Sequence, residues 1–318
     1  MPLLDDAQPR LAIALGGGVA RGWSHIGVLR VLLAHGVVPD IVCGTSIGAI
    51  VGGCYLAGRL DELERWARSL TRMRMLRYLD FQLGQPSLLG GERLADELNR
   101  HLGDLTIEQL DRPFAAICSD LTTGQEVWLR QGRLADAIRP SFAMPGVFPP
   151  VMANCRMLMD GGLVNPVPVS TCRALGGHMV IGVNVNDLFQ RLTAPRAPEK
   201  SSFNLVDLLE VEGGALKGAA MSRLARRVFK PAAADKTSIF EIMLTSLGML
   251  LDRITKSRLA GDPPDVLIEP RISHIGFHEF DRSDELIEIG QKSAEKALPD
   301  ILATMDTLRI PRREPVRE

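Results

Sequence analysis

Two glycine-dense loops near the N-terminus narrow the folds open to this chain, because each is framed by an apolar run before it and a helical pattern after it. Leu11 to Leu15 is unbroken apolar sequence, long enough for a buried strand. Gly16-Gly17-Gly18-Val19-Ala20-Arg21-Gly22 follows. Apolar residues then recur at Trp23, Ile26, Leu29 and Leu33, the spacing of one helical face, and Gly36 is placed to end that helix. Asp40 to Cys43 reads as a second short strand, Gly44 to Gly48 as a tight turn, and Ile47 to about Ala57 as a helix of small residues. Strand, helix, strand, helix predicts an α/β fold: a parallel sheet with helices on its faces.

The remainder extends this pattern. Leu60 to about Leu110 is charged and helical, broken at Gly84-Gln85-Pro86 and Gly90-Gly91. Phe114 to Ser119 and Glu126 to Leu129 read as two strands joined by the polar turn Thr122-Thr123-Gly124. Met157 to Met159 leads into Asp160-Gly161-Gly162, and Met179 to Val185 is a further β-type run. Arg191 to about Asp262 differs in character. It holds Pro195, Pro198 and Pro231, a basic cluster (Arg223, Arg226, Arg227, Lys230), and rough helical spacings at Phe203, Val206, Leu209 and Val211 and at Ile239, Ile242, Met243 and Leu250. Val266 to Glu269 reads as a last strand, and Asp284 to Asp300 as a last helix with Pro299 near its end. The expected division is one domain from 9–190 and 264–302, a helical insertion or cap at 191–263, and a frayed tail at 303–318.

Composition removes several classes. A chain of 318 residues that is 46% hydrophobic can bury a sizeable core. Lys+Arg 37 against Asp+Glu 38 gives a net charge of −1, neither a nucleic-acid-binding surface nor a polybasic lipid anchor. Met1 to Arg10 lacks the positive region and apolar core of a secretory signal, and no apolar run approaches the ~20 residues that span a bilayer. Cys43, Cys54, Cys118, Cys155 and Cys172 are scattered without a Cys-x-x-Cys pair. They read as buried thiols of a reducing compartment, so a cytoplasmic protein with no metal or cofactor is expected.

Three motifs carry chemistry. Gly44-Thr45-Ser46-Ile47-Gly48 is a G-x-S-x-G sequence between strand and helix. Such a turn is sharp and strained, lifts the serine hydroxyl above the sheet, and places it at a helix N-terminus that favours negative charge; its bland reading is an ordinary turn with a capping serine. The loop at 16–22 can aim several backbone N–H groups into one concavity that binds a phosphate or a tetrahedral oxyanion. It fails the dinucleotide fingerprint, with Arg21 where glycine is required, and no Gly-Lys-Ser/Thr follows to make a P-loop. Asp160-Gly161-Gly162 puts a carboxylate at a strand end, though Asp-Gly is also the commonest of turns.

Taken in order, these motifs resemble the patatin-like phospholipase family, especially its bacterial cytoplasmic branch. The likeness is reinforced by Arg139-Pro140-Ser141-Phe142-Ala143-Met144-Pro145-Gly146-Val147-Phe148-Pro149-Pro150, and departs at Pro140, where the family has a small residue. It spans residues 9–188, with a weaker likeness at 264–300. The resemblance implies a three-layer, parallel-sheet patatin-like fold and a lipid acyl hydrolase acting on carboxylic esters of a lipid or lysophospholipid. It implies a Ser-Asp dyad with Ser46 as nucleophile and Asp160 as base. Backbone amides at Gly16, Gly17, Gly18 and Val19 would form the oxyanion hole, with Arg21, Gly44, Gly48, Gly161 and Gly162 in support. A free aspartate, of pKa ~3.9, is a poor base for a serine hydroxyl; burial would raise it and contact with Ser46 would supply proximity.

Two rivals stay open. An α/β-hydrolase with a Ser-His-Asp triad would draw its histidine from His274 or His278, while His25 sits where a structural role is expected; that fold, however, places its serine elbow after several strands. A non-catalytic protein could hold a nucleotide or other anion in the 16–22 nest. The insertion, with apolar positions beside the Arg223–Lys230 cluster, could form a cap that rests peripherally on the inner membrane face, or pack against the domain or a homo-oligomer partner.

Overall fold

The computed structural model describes residues 8–71, 74, 91–186 and 239–314. Its strands are β1 (Leu11–Leu15), β2 (Ile41–Thr45), β3 (Phe114–Asp120), β4 (Glu126–Leu129), β5 (Val151–Ala153), β6 (Arg156–Asp160), β7 (Met179–Val183) and β8 (Val266–Ile268). Its helices are α1 (Ser24–Ala34), α2 (Ile47–Leu56), α3 (Leu60–Ser69), α4 (Glu92–Leu102), α5 (Leu134–Ser141), α6 (Val169–Ala174), α7 (Ile239–Gly261) and α8 (Ser283–Thr307). All strands join one sheet in the order β5-β6-β3-β2-β1-β7-β8, with β4 also on β3. The five strands β3, β2, β1, β7 and β8 pair in parallel, whereas β4 and β6 pair antiparallel with β3, and β5 antiparallel with β6. The sheet is thus mixed rather than wholly parallel. The reversal between β5 and β6 is local: Asn154 (φ 50°) and Cys155 (φ 57°) form a two-residue turn with both central residues left-handed.

The alternation within β1 explains the layers. Leu11, Ile13 and Leu15 enter one core with Val42, Phe114, Ile181 and the apolar faces of α1, α2 and α8. Ala12 and Ala14 face the other way and meet Ile41, Cys43, Ile117 and Val180, with Val169 and Cys172 of α6. Every residue of β1, β2, β3 and β7 is buried, as strands covered on both faces must be. Large side chains fill the thick layer under the long helices, and small ones line much of the layer under α6.

Two expectations need revision. The last helix does not stop near Asp300: it runs through Pro299 to Thr307, and Met305 and Ile310 are buried. The Arg313 N–H bonds the Gly36 carbonyl at 3.0 Å, and its guanidinium pairs with Asp40. Apolar anchors at Ile301, Met305 and Ile310 hold 303–314 to the fold, so it is not a frayed tail. Among the cysteines, Cys155 is exposed at the hairpin tip while the other four are buried. Of the 191–263 insertion, 191–238 and its basic cluster lie outside the described residues, as does the glycine-rich break at 84–90. Among the described residues, no helix is long and apolar enough to cross a membrane.

Candidate active site

Strand pairing alone brings two of the motifs together. Ala116 and Ile117 of β3 pair with both β2 and β4, so β2 and β4 lie on opposite edges of β3. Cys118 and Ser119 pair with both β4 and β6, so β6 also lies opposite β4. Hence β2 and β6 share one edge of β3 and approach end to end. β2 finishes with Thr45 opposite Ile117, and β6 finishes with Asp160 opposite Cys118. Ser46 leaves the first strand where Asp160 closes the second.

Ser46 sits at the turn into α2 with φ 55° and ψ −123°, a left-handed conformation that costs on the order of 1–3 kcal/mol for a non-glycine residue. Its carbonyl accepts from the N–H groups of Ala49 (2.9 Å) and Ile50 (3.3 Å), which starts the helix. Its own N–H points elsewhere, donating to Ser141 Oγ at 2.9 Å, while the Ser141 hydroxyl donates to the Ile117 carbonyl at 2.6 Å. Ser141 is fully buried and so ties the elbow to β3. Gly44 and Gly48 face backbone, of Ala49 and Leu15 respectively, at distances that leave no space for a side chain.

Asp160 accepts the Gly162 N–H on Oδ1 at 2.7 Å, and the Ser46 hydroxyl lies near enough to its carboxylate to favour the charged form. Its backbone is fixed from both sides: its N–H donates to the Ala143 carbonyl at 3.0 Å, and its carbonyl accepts from Ser119 Oγ at 2.9 Å. Gly161 packs so tightly on the Ile117 carbonyl that a Cβ would overlap it, which accounts for the glycine after the aspartate. Ser46 and Asp160 are 8% and 7% exposed, enough for reagent access to a largely dry pair. Burial pushes the Asp160 carboxyl up to about 6, against the opposing pull of its hydrogen bonds from Ser46 and Gly162.

The glycine loop lies against this pair, but not all of it can serve as expected. The Gly16 N–H is bonded to the Val183 carbonyl and the Gly17 N–H to the Pro166 carbonyl, each at 3.0 Å. These two amides are consumed by the fold and are not oxyanion donors. Gly17 serves through its lack of a side chain, since a Cβ there would lie 3.2 Å from Ser46 Cβ. The Gly18 and Val19 amides have no backbone acceptor among the described residues. Val19 is itself left-handed, φ 53°, a rare state for a β-branched residue. Arg21 orders this loop: it is fully buried, donates from Nε to the Ile275 carbonyl at 2.8 Å, and stacks 4.1 Å from the Phe277 ring centroid.

The histidines are occupied elsewhere. His25 is fully buried, Nε2 meets the Gly16 carbonyl at 2.7 Å, and burial lowers its pKa to about 4, so it is neutral and structural. His274 pairs with Glu285 at 2.8 Å, on the surface. Among the described residues no three His, Cys, Asp or Glu side chains gather as metal ligands would.

Ser141, within the segment 139–150, and Leu251 carry no local sequence signal of their place at the site. The helical spacing read in α7 picks out Leu250, which is 60% exposed. It is the next residue that turns inward: a Cβ on Gly162 would lie 3.2 Å from Leu251 Cδ2 and 3.1 Å from Asp160 Oδ1.

Comparison with known proteins agrees with the motif reading. The family model for patatin-like phospholipase matches residues 13–173. An uncharacterized NTE family protein of Mycobacterium tuberculosis is 33% identical over 332 aligned positions, covering 92% of each chain. Patatin-like phospholipase domain-containing protein 6 of Homo sapiens is 35% identical over 182 positions, which are 55% of this chain and 13% of that one. The crystal structure of VipD from Legionella pneumophila aligns with a TM-score of 0.45 at 12% identity, over 92% of this chain and 67% of that one.

Proposed function

This chain belongs to the patatin-like phospholipase family, and from that premise we propose that it is a lipid acyl hydrolase working through a Ser46–Asp160 dyad. One observation carries the reading: a strained, nearly buried serine hydroxyl stands beside a buried carboxylate whose pKa is raised to about 6, next to backbone amides with no partner in the described backbone. Asp160 takes the hydroxyl proton as Ser46 Oγ attacks the acyl carbonyl carbon. The oxyanion so formed is received by the Gly18 and Val19 N–H groups, and one such donor contributes ~3–4 kcal/mol to the transition state. Collapse breaks the ester C–O bond, and Asp160 returns its proton to the departing alcohol or lysolipid. Water then attacks the acyl-enzyme, Asp160 accepts the water's proton, and Ser46 regains it as the fatty acid leaves.

The same reading puts the substrate at a membrane surface. Ile242, Met249 and Leu250 are more than half exposed on the outer side of α7, and Leu121, Met152 and Met157 are exposed just after β3 and on the β5–β6 hairpin. Leu250→Glu with Met249→Glu should lower co-sedimentation with liposomes; unchanged binding would argue against this face.

The deciding test is hydrolysis of a short-chain p-nitrophenyl ester, with fluorophosphonate labelling in parallel, by wild type, Ser46→Ala and Asp160→Asn. Turnover and labelling by wild type, with turnover lost in both folded variants, supports the dyad. Turnover retained by folded Asp160→Asn would remove Asp160 as the base.

A further inference from the structure

Helix α7 belongs to a part of the chain that carries none of the three motifs, yet it closes over the site they make. Its inward positions, Gly248, Asp252 and Thr255, are buried, while Ile242, Met249 and Leu250 face out. Met243 lies against Gly146 in the segment before β5, its Cε 3.1 Å from where a Cβ would stand. At the other end Arg258 Nη2 pairs with Glu126 of β4 at 2.7 Å, and Glu126 also accepts from Asn165 Nδ2 (2.9 Å) and Thr171 Oγ1 (3.0 Å). The helix is therefore fastened across the site, with half-buried Leu251 against Gly162, the glycine whose N–H holds the Asp160 carboxylate.

We propose that Leu251 is a positioning residue for the Ser46–Asp160 pair, an apolar plug that keeps water off the carboxylate and so sets the pH at which the site becomes active. The proposal rests on the reading of Asp160 as the base. Charge on neighbouring elements offers no competing explanation. Asp252 on α7 is held by Lys256 at 2.8 Å, Asp120 on β3 has Arg156 at 4.0 Å, and Glu126 has Arg258. Cys118 on β3 is buried with its thiol pushed well up, first by burial and then by the Asp160 charge, and is neutral. No cation lies among the influences on Asp160, whose carboxyl is raised by burial alone against two hydrogen bonds. Dryness is the lever, and Leu251, packed over the Gly162 turn that holds the carboxylate, is the α7 side chain that supplies it.

The test is the pH profile of kcat/KM for a p-nitrophenyl ester, and of the fluorophosphonate labelling rate, in wild type, Leu251→Asn, Leu251→Ser and Leu251→Met. Asp160 must be ionised to accept the proton, so the rate rises with pH through its pKa, with a wild-type midpoint near 6. A polar or small residue at 251 admits water, and the midpoint should fall by about one pH unit, with a lower plateau as the base weakens. Leu251→Met should keep the wild-type midpoint. A purely structural role would scale the rate at every pH and leave the midpoint in place; that result in folded Leu251→Asn or Leu251→Ser overturns the proposal. Folded Ser46→Ala and Asp160→Asn, run beside them, isolate the other failure: activity retained there refutes the dyad itself, whatever residue 251 does.

Discussion

Replacing Asp160 by asparagine should make the protein inactive and, above neutrality, more stable. In the folded protein the Asp160 carboxyl holds its proton up to about pH 6; in the unfolded chain it does so only to the ordinary 3.8. Between those values the native state binds more protons than the unfolded one, so this group's contribution to stability falls as pH rises through that window and stays lost above it. At 1.36 kcal/mol per tenfold, the full loss is about 3 kcal/mol by pH 8. Asparagine keeps the shape, can accept the Gly162 N–H on Oδ1, and can direct its amide to Ser46 Oγ, but it carries no charge to desolvate. Melting wild type and Asp160→Asn at about pH 4 and again at about pH 8 separates the ionisation from everything else, because groups common to both proteins cancel. The variant should gain several degrees relative to wild type between the two conditions. The same offset at both would mean that Asp160 is not desolvated, and the account of how it becomes a base would fail with it.

Further outcomes follow from the geometry. Ser141→Ala strips the Ser46 N–H and the Ile117 carbonyl of their shared partner; about 1–3 kcal/mol should be lost in urea melts, with slower fluorophosphonate labelling. Gly161→Ala drives a Cβ into the Ile117 carbonyl, so soluble variant protein should show little turnover, and full activity would contradict the close packing of the Asp160 turn on β3. Glu126→Ala leaves Asn165, Thr171 and Arg258 without their common acceptor. It should cost at least ~2 kcal/mol and speed hydrogen exchange in α7, with Glu126→Gln milder. His274→Asn with His278→Asn should leave kcat/KM within about twofold of wild type; a collapse in folded protein would revive a triad.

What could be read from the chain and what could not divides along the distance between partners. The first strand, the glycine loop, α1, β2 and the serine turn are each specified by neighbours in sequence, and they stand where the apolar runs put them. β5 left no trace because it is three residues long and half exposed, so neither periodicity nor an apolar run marks it. The amides of Gly16 and Gly17 looked free because the carbonyls that take them, on Val183 and Pro166, belong to distant segments. Ile310 looked like a loose tail residue because the pocket it fills is tertiary. Leu251 was hidden by a one-residue error in helical phase that only packing corrects.

The proposed dyad has no histidine and needs its carboxylate to do what imidazole does elsewhere, a demand that the architecture around Asp160 fits. A carboxylate on an exposed loop would stay near its ordinary pKa and bind the serine proton weakly. Here it is delivered by a strand running head-on into the strand that carries the serine, with β3 along their shared edge and the Gly162 N–H on one oxygen. The junction supplies contact and most of the burial at once, leaving the two groups 8% and 7% exposed. The mixed sheet is therefore part of the proposed mechanism: were β6 parallel to β2, its C-terminal end could not meet Ser46 from the opposite direction on the same edge. The strain at Ser46 and Val19 and the unfavourable charge at Asp160 lower stability at neutral pH, as a site built for reaction rather than for stability would.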